Sequence, residues 1–317
     1  MGFFSRKNKD NKTKEANDSL AESAVWYSEA NKYLRYNRYK EALECFDKSI
    51  KASPDNAAVW HDKGRVLALM KKSEESLKCY DKAIELSPNS AVYYHNKGDT
   101  LAAFQRFDEA DEYFRKAIEM SPDDVIFLTS HAGILAKKGM YNEADEVMEK
   151  VCRLETRAPE HWFNRGMFLY SAEKYEDAAH CFMMTVKIAP GHSASHFNCG
   201  NCLMKLGKFK EAVFYFDKAL KYERTMTGAM NNKGIALSRL GMHDAAYDCF
   251  RRVLIAQPSN ADALYNKGYE LLQLERYDEA INSFNSALSV ADDTNRGLIQ
   301  LCREKKQEAI EKSSEQS

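Results

Sequence analysis

The chain has 317 residues, of which 44% are hydrophobic and 29% charged, so it can form an extensive buried core. Its formal net charge is −1, and this balance does not favour a nucleic-acid partner, since nucleic-acid-binding domains present a basic face. Because no run approaches about 18 apolar residues and the N-terminus lacks the apolar core of a secretory signal, we expect neither a transmembrane helix nor export. The eight cysteines are then expected to be reduced thiols of a cytoplasmic protein.

Residues 1–22 are predicted to form a disordered, basic N-terminal tail. The first 14 residues carry five lysines or arginines against one acidic residue, and Phe3 and Phe4 precede these charges. A weak contact with a membrane surface is therefore a second interpretation of this segment. The N-myristoylation pattern is not met, because it requires Ser or Thr one position beyond Ser5.

Prolines mark a regular period from residue 23 onward. Pro54, Pro88 and Pro122 are 34 residues apart, and the same step leads on to Pro190 and Pro258. We number the residues of each repeat from 1 to 34, so that proline falls at position 32. This numbering divides residues 23–294 into eight repeats without an insertion: 23–56, 57–90, 91–124, 125–158, 159–192, 193–226, 227–260 and 261–294.

The same residue types recur at fixed repeat positions. Positions 8 and 20 hold glycine, alanine or serine, position 11 holds leucine in seven repeats, and position 24 is aromatic in seven. This pattern resembles the tetratricopeptide repeat family, and the resemblance covers residues 23–294. The pentatricopeptide family, which binds RNA, resembles the chain less well because its period is longer. Residues 125–158 fit least well, since they lack the proline and have Met148 at position 24, which predicts looser packing there.

Each repeat is predicted to form two helices that cannot bury their apolar faces alone. In the last repeat, Leu264, Gly268 and Leu271 recur at helical spacing, and Tyr277 and Phe284 belong to the same pattern in a second helix. Stacked antiparallel pairs form an α-solenoid, and the resemblance implies an all-α, right-handed superhelical one. Glycine inside a helix costs about 1 kcal/mol relative to alanine. We expect that Gly268 offsets this cost by letting the two helices approach closely.

The ends of the helices and of the array are also predicted. Four residues that precede first helices are expected to cap them: Asn56, Ser90, Asp124 and Asn260. Residues 295–311 carry an apolar stripe beside a charged face and are predicted to form a capping helix that shields the last repeat. Residues 312–317 are expected to be a disordered tail.

The resemblance implies that positions 2, 5, 6, 9, 12 and 13 of each first helix line a concave groove. Position 6 is asparagine in five repeats, four of them consecutive, although asparagine is a poor helix former. An amide offers donors and an acceptor, so a row of amides can hold the backbone of an extended peptide. The row is similar to the asparagine ladder of O-linked N-acetylglucosamine transferases. The alternative is that these asparagines only solvate the groove or bond their neighbours.

Aromatic residues at position 5 adjoin these asparagines and can supply side-chain pockets. The alternative for them is partial burial against the neighbouring helix. The predicted peptide-binding residues are Asn96, Asn164, Asn198, Asn232, Asn266, Phe163, Phe197, Tyr265, Asn201 and Tyr170. The clamp with which some family members hold a peptide's C-terminal carboxylate is not expected, because no repeat has lysine at position 5.

No catalytic residue, cofactor or metal site is predicted. The chain lacks a Gly-x-Ser-x-Gly elbow, a phosphate-binding glycine loop and a His-Glu-x-x-His motif. Cys199 and Cys202, with His192 and His196 upstream, form the one metal-like cluster, but a zinc site needs four converging ligands. Residues three apart on a helix drift around its axis, so a packing role is favoured for this cluster.

The sequence thus favours a non-catalytic interaction scaffold whose groove binds an extended segment of a partner protein. The alternative is a structural assembly protein that self-associates or contacts a membrane surface through residues 1–14. RNA binding is disfavoured by the net charge and by the length of the period.

Overall fold

The computed structural model describes the backbone of residues 3–292 and 294–316 and the side chains of residues 17–292 and 294–315. Every regular element of these residues is an α-helix, and none of the helices is long and apolar enough to cross a membrane. In chain order they are α1 (Phe3–Arg35), α2 (Tyr39–Ala52), α3 (Ala57–Leu69), α4 (Ser73–Leu86), α5 (Ala91–Ala103), α6 (Phe107–Met120), α7 (Val125–Lys137), α8 (Tyr141–Leu154), α9 (Pro159–Ser171), α10 (Tyr175–Ile188), α11 (Ser193–Lys205), α12 (Phe209–Tyr222), α13 (Thr227–Arg239), α14 (His243–Ala256), α15 (Ala261–Gln273), α16 (Tyr277–Val290) and α17 (Arg296–Gln316).

The chain divides into two compact units, Met1–Leu154 and Glu155–Ser317, which we call unit 1 and unit 2. Unit 1 holds α1 to α8 and unit 2 holds α9 to α17. Within each unit the two helices of a repeat pack together, and each second helix also packs against the first helix of the next repeat. This arrangement confirms the predicted all-α solenoid of helix pairs.

The contact between the two helices of a repeat explains the glycine at position 8. A Cβ atom built on Gly268 would lie 2.8 Å from the ring of Phe284, and one built on Gly200 would lie 2.6 Å from the ring of Phe216. Both rings are fully buried, so the predicted role of Gly268 is confirmed. In residues 125–158, where looser packing was expected, Met148 takes the place of the ring and is also fully buried.

A left-handed residue at position 15 ends every first helix. Its φ angle lies between 56° and 79° in all eight repeats: Asn37, Lys71, Gln105, Gly139, Glu173, Gly207, Gly241 and Glu275. In the second repeat, the Lys71 amide donates to the Ala68 carbonyl and the Lys72 amide to the Leu67 carbonyl, both at 2.9 Å. This is the Schellman arrangement, which satisfies carbonyls that the helix end leaves free and turns the chain into the second helix.

Three of the four predicted helix caps are present. The side chains of Asn56, Asp124 and Asn260 accept hydrogen bonds from backbone amides two or three residues on, at 2.9 to 3.2 Å. Ser90 precedes α5 but its hydroxyl makes no such bond, so this expectation was wrong. The backbone of α5 starts in the same extended conformation, which shows that the fold does not depend on this cap.

Both ends of the chain are more helical than the sequence predicted. Helix α1 begins at Phe3, whereas disorder was expected for residues 1–22, and α17 continues to Gln316, beyond the expected end at 311. Neither extension contains proline, and both are rich in residues with good helix propensity, so they continue the adjoining packed helices. The expectations for Met1, Gly2, Asp293 and Ser317 lie outside the described residues. Leu298, Cys302 and Ala309 of α17 are buried, and the helix packs against α16.

Candidate functional site

The first helices of adjacent repeats contact one another, which brings their position-6 residues to a common surface. These contacts join α3 to α5 and α5 to α7 in unit 1, and α11 to α13 and α13 to α15 in unit 2. We call the surface that positions 2, 5, 6, 9, 12 and 13 form on the first helices of a unit its first-helix face. All ten predicted peptide-binding residues occupy these positions, with Asn96 in unit 1 and the other nine in unit 2.

In unit 1 a regular series of hydrogen bonds joins the side chains of the first-helix face to one another. Each bond joins position 5 of one repeat to position 6 of the next. The bonds join Tyr27 to Asp62 at 2.5 Å, His61 to Asn96 at 2.7 Å, and His95 to Ser130 at 3.0 Å. Burial, together with donation to Asp62, raises the pKa of the Tyr27 hydroxyl to about 12. The Asn96 amide therefore bonds its neighbours, which is the alternative that the sequence left open for this residue.

In unit 2 the same positions are only partly bonded. Position 5 is Phe163 or Phe197 in two of the four repeats, and a phenylalanine cannot bond the next asparagine. Within the described residues, the side-chain amides of Asn164 and Asn266 have no hydrogen-bond partner.

The other two asparagines of unit 2 at position 6 have partners of unequal strength. The Asn198 amide has a weak contact of 3.5 Å with the sulfur of Met167, which also lies on the first-helix face. The Asn232 amide donates to Asn201 Oδ1 at 2.8 Å. Asn201 and Asn232 therefore bond each other across adjacent repeats, while Asn198 keeps most of its hydrogen-bonding capacity.

The predicted aromatic residues are partly buried in the repeats that carry them. The ring centroids of Phe163, Phe197 and Tyr265 lie 5.7, 6.0 and 5.9 Å from the buried position-24 rings of their own repeats. Tyr170 meets Tyr175 edge-on at 5.4 Å. These contacts match the packing alternative stated above, and they leave only part of each ring available to a ligand.

A cavity of about 460 Å³ lies between α13 and α15 on the first-helix face of unit 2. Its lining includes Ile235, Ser238, Arg239, Tyr265, Asn266 and Tyr269. Glu270 also lines it, but this carboxylate is 1% exposed and is hydrogen-bonded to His243 Nδ1 at 2.7 Å. Burial raises the pKa of the Tyr265 hydroxyl, so this group is a neutral donor at physiological pH. The cavity thus combines an amide without a partner, two phenols and an exposed guanidinium.

The metal-like cluster of the sequence is a packing feature of α11. Cys199 and Cys202 are fully buried, and burial raises the pKa of each thiol to about 12. His196 donates from Nε2 to the Pro190 carbonyl at 2.9 Å and stacks on Tyr222. His192 Nδ1 accepts from the Ser195 amide at 3.2 Å. No group of three or more potential ligands among the described residues is placed to hold a metal ion.

Sequence reasoning missed the lysine at position 7, which joins adjacent repeats. Its ammonium group pairs with an aspartate at position 25 of the preceding repeat. The pairs are Lys63 with Asp47 at 2.5 Å, Lys97 with Asp81 at 2.5 Å, and Lys233 with Asp217 at 2.6 Å. The recurrence of aspartate at position 25 was a signal for these pairs. In Asn96-Lys97-Gly98 and Asn232-Lys233-Gly234, therefore, the asparagine lies on the first-helix face, the lysine links adjacent repeats and the glycine makes room for the aromatic ring.

The family matches agree with this geometry. Models of the tetratricopeptide repeat match residues 23–56 and 55–123, and the helix pairs follow the same 34-residue period through to residue 294. The chain belongs to the tetratricopeptide repeat (TPR) family. A further model, described as the N-terminal domain of the T7SS ESX-1 secretion system protein EccA1, matches residues 99–283 of this TPR chain. No curated protein sequence matches the chain.

Several solved structures are similar to this TPR chain in fold. YrrB, described as a TPR protein with an unusual peptide-binding site, is 23% identical with a TM-score of 0.54, and the match covers 60% of this chain and 98% of YrrB. MamA 41-end from Desulfovibrio magneticus RS-1 is 19% identical with a TM-score of 0.50, covering 54% and 96%. A chain of the Naa15/Naa10 structure bound to HypK-THB is 16% identical with a TM-score of 0.56, covering 84% of this chain and 42% of that one. At these identities the likeness establishes the TPR fold alone.

Proposed function

We propose that this TPR protein is a non-catalytic protein–protein interaction scaffold, and that the first-helix face of unit 2 binds an extended segment of a partner protein. One observation carries the proposal: Asn164 and Asn266 have no hydrogen-bond partner within the described residues, whereas the corresponding positions of unit 1 are closed by bonds between repeats. A partly buried amide without a partner gains free energy when a ligand supplies one.

The spacing of the amides fits an extended backbone. Packed helices lie about 8–10 Å apart, and an extended chain advances about 3.3 Å per residue. Amides on successive first helices are therefore about three ligand residues apart. In this proposal Asn164, Asn198 and Asn266 bond the ligand backbone, and the accessible edges of Phe163 and Phe197 contact its side chains.

The relatives in fold are consistent with such a role. YrrB is described as having a peptide-binding site, and the Naa15/Naa10 structure is a multi-protein assembly. The family uses the same helix pairs to present surfaces to partners, and in this proposal position 6 belongs to such a surface. The alternative role, in self-association or membrane contact, depends on the side chains of residues 1–14. These side chains lie outside those that the structure describes, so this role stays a prediction.

Affinity capture from the native cell extract tests the proposal. The wild type is compared with the Asn164→Ala/Asn266→Ala variant, and bound proteins are identified by mass spectrometry. We expect the variant to lose partners that the wild type holds and to melt no lower, because alanine is the better helix former and neither amide has a partner to lose.

The matched control is Asn282→Ala/Asn285→Ala, which removes two exposed amides from the second helix α16. This control should capture the same partners as the wild type. If the Asn164→Ala/Asn266→Ala variant also keeps every partner, the first-helix face of unit 2 is not the binding surface.

A further inference from the structure

We infer that the segment bound by unit 2 is acidic, with one carboxylate side chain entering the cavity between α13 and α15 to meet Arg239 and a second meeting Lys205. This inference rests on the proposed function, because it assigns a chemistry to the ligand of the same first-helix face. The geometry that carries it is a pair of exposed cations at equivalent positions of adjacent repeats.

Lys205 and Arg239 both occupy position 13, in the last turns of α11 and α13. Both side chains are exposed, and neither forms an ion pair within the described residues. On the same helix as Arg239, Lys233 at position 7 is by contrast paired with Asp217 at 2.6 Å. A cation in the last turn of a helix complements the helix dipole, and that role leaves its charged head free for an external carboxylate.

The cavity next to Arg239 is suited to a carboxylate. Its volume of about 460 Å³ lies within the range of about 300–1,000 Å³ typical of ligand pockets. Besides Arg239, it presents the free amide of Asn266 and the phenol groups of Tyr265 and Tyr269, all of which can donate to an anion. Arginine and neutral donors together form charge-assisted hydrogen bonds with carboxylates.

The one acidic group of the cavity does not oppose this assignment. Glu270 is 1% exposed, and its Oε2 atom is hydrogen-bonded to His243 Nδ1 at 2.7 Å, so little of this carboxylate is accessible to a ligand. The charge that a ligand meets at this cavity is therefore the Arg239 guanidinium.

Within unit 2, positive charge at position 13 is confined to the two middle repeats. Position 13 is Ser171 in the first repeat of the unit and Gln273 in the last, so neither flank extends the positive row. Because adjacent first helices lie about 8–10 Å apart, the two acidic residues of the ligand should be about three positions apart in an extended segment. A short acidic motif, and not a uniformly acidic chain, is the chemistry that this pattern fits.

Selection from a random 12-residue peptide library displayed on phage tests the inference with the full chain as bait. Peptides selected by the wild type should be enriched in Asp and Glu at two sites about three positions apart. A synthetic consensus peptide should lose about fivefold or more in affinity when the bait is Lys205→Gln/Arg239→Gln, or when its acidic residues are replaced by their amides. The Lys210→Gln/Arg224→Gln variant removes the same charge from exposed residues off this face and should bind as the wild type does.

The outcomes separate the inference from the proposed function. Peptides that require Asn164 and Asn266 but show no acidic enrichment, or that bind Lys205→Gln/Arg239→Gln unchanged, would overturn the acidic chemistry and keep the scaffold. Peptides that bind Asn164→Ala/Asn266→Ala as well as the wild type would overturn both, and so would a selection that enriches no sequence.

Discussion

The glycine at position 8 is explained by its close contact with a single aromatic ring of the neighbouring helix. In the sixth repeat, the nearest atom to a Cβ built on Gly200 is Cε1 of Phe216 at 2.6 Å, and the Phe216 ring is fully buried. Gly64 and Gly98 meet their position-24 rings in the same way, at 3.1 and 3.0 Å. The helix therefore accepts the low propensity of glycine in exchange for a closer helix–helix contact.

We predict that Gly200→Ala destabilises the protein by about 1–3 kcal/mol, since the added methyl group must displace a buried ring. This loss should exceed the gain of about 1 kcal/mol in helix propensity. Urea unfolding followed by circular dichroism measures the change. Gly133→Ala is the control, because no atom lies within 4 Å of its Cβ position, and it should stabilise the protein. Equal changes in the free energy of unfolding for the two variants would show that the ring contact is not the reason for glycine at this position.

The asparagines illustrate what a sequence can and cannot reveal about single residues. The repeat numbering is sufficient to place Asn96 and Asn164 at the same position of the first helix. Asn96 is hydrogen-bonded to His61 at 2.7 Å, whereas the Asn164 side chain has no hydrogen-bond partner within the described residues. A bond between repeats depends on both side chains and on their distance, so the pattern of one position alone could not predict it.

At the scale of elements, the 34-residue period of the helix pairs could be predicted from the sequence. The left-handed turns that join the two helices of each repeat could not. Proline at position 32 and small residues at positions 8 and 20 mark the ends and contacts of helices, and the structure confirms the helix pairs that they predicted. The left-handed residue at position 15 is glycine in only three of eight repeats, so glycine does not reveal the turn. Five repeats, including those with Lys71 and Glu173, hold a side chain in this conformation instead.

This turn leads to a prediction at the same scale. Gly207 has a φ angle of 72°, and Glu173 adopts 61° at the equivalent position of the preceding repeat. Because a left-handed conformation costs a non-glycine residue roughly 1–2 kcal/mol, Gly207→Ala should destabilise the protein by about 1 kcal/mol. The reciprocal change Glu173→Gly should stabilise it by up to about 1 kcal/mol. Thermal melting of both variants measures the effects, and shifts of the same sign would contradict this account of the turn.

At the scale of the whole molecule, each unit has its own first-helix face, and the two faces differ in chemistry. Unit 1 bonds position 5 to position 6 of the next repeat in an unbroken series from Tyr27 to Ser130. Unit 2 places phenylalanines at two of these positions and leaves the amides of Asn164 and Asn266 without partners within the described residues. Nine of the ten peptide-binding residues that the sequence predicted lie in unit 2, and this is the unit to which we assign binding in our proposal.

The most direct test of this account is a spectrum of the side-chain amides in protein labelled with ¹⁵N-asparagine, recorded with and without a captured partner segment. Single Asn→Ala variants assign the signals. We predict that the Asn164 and Asn266 signals shift on binding, while Asn96, already bonded to His61 at 2.7 Å, stays in place. A shift of Asn96 with no change at Asn164 and Asn266 would contradict the assignment of the binding surface to unit 2.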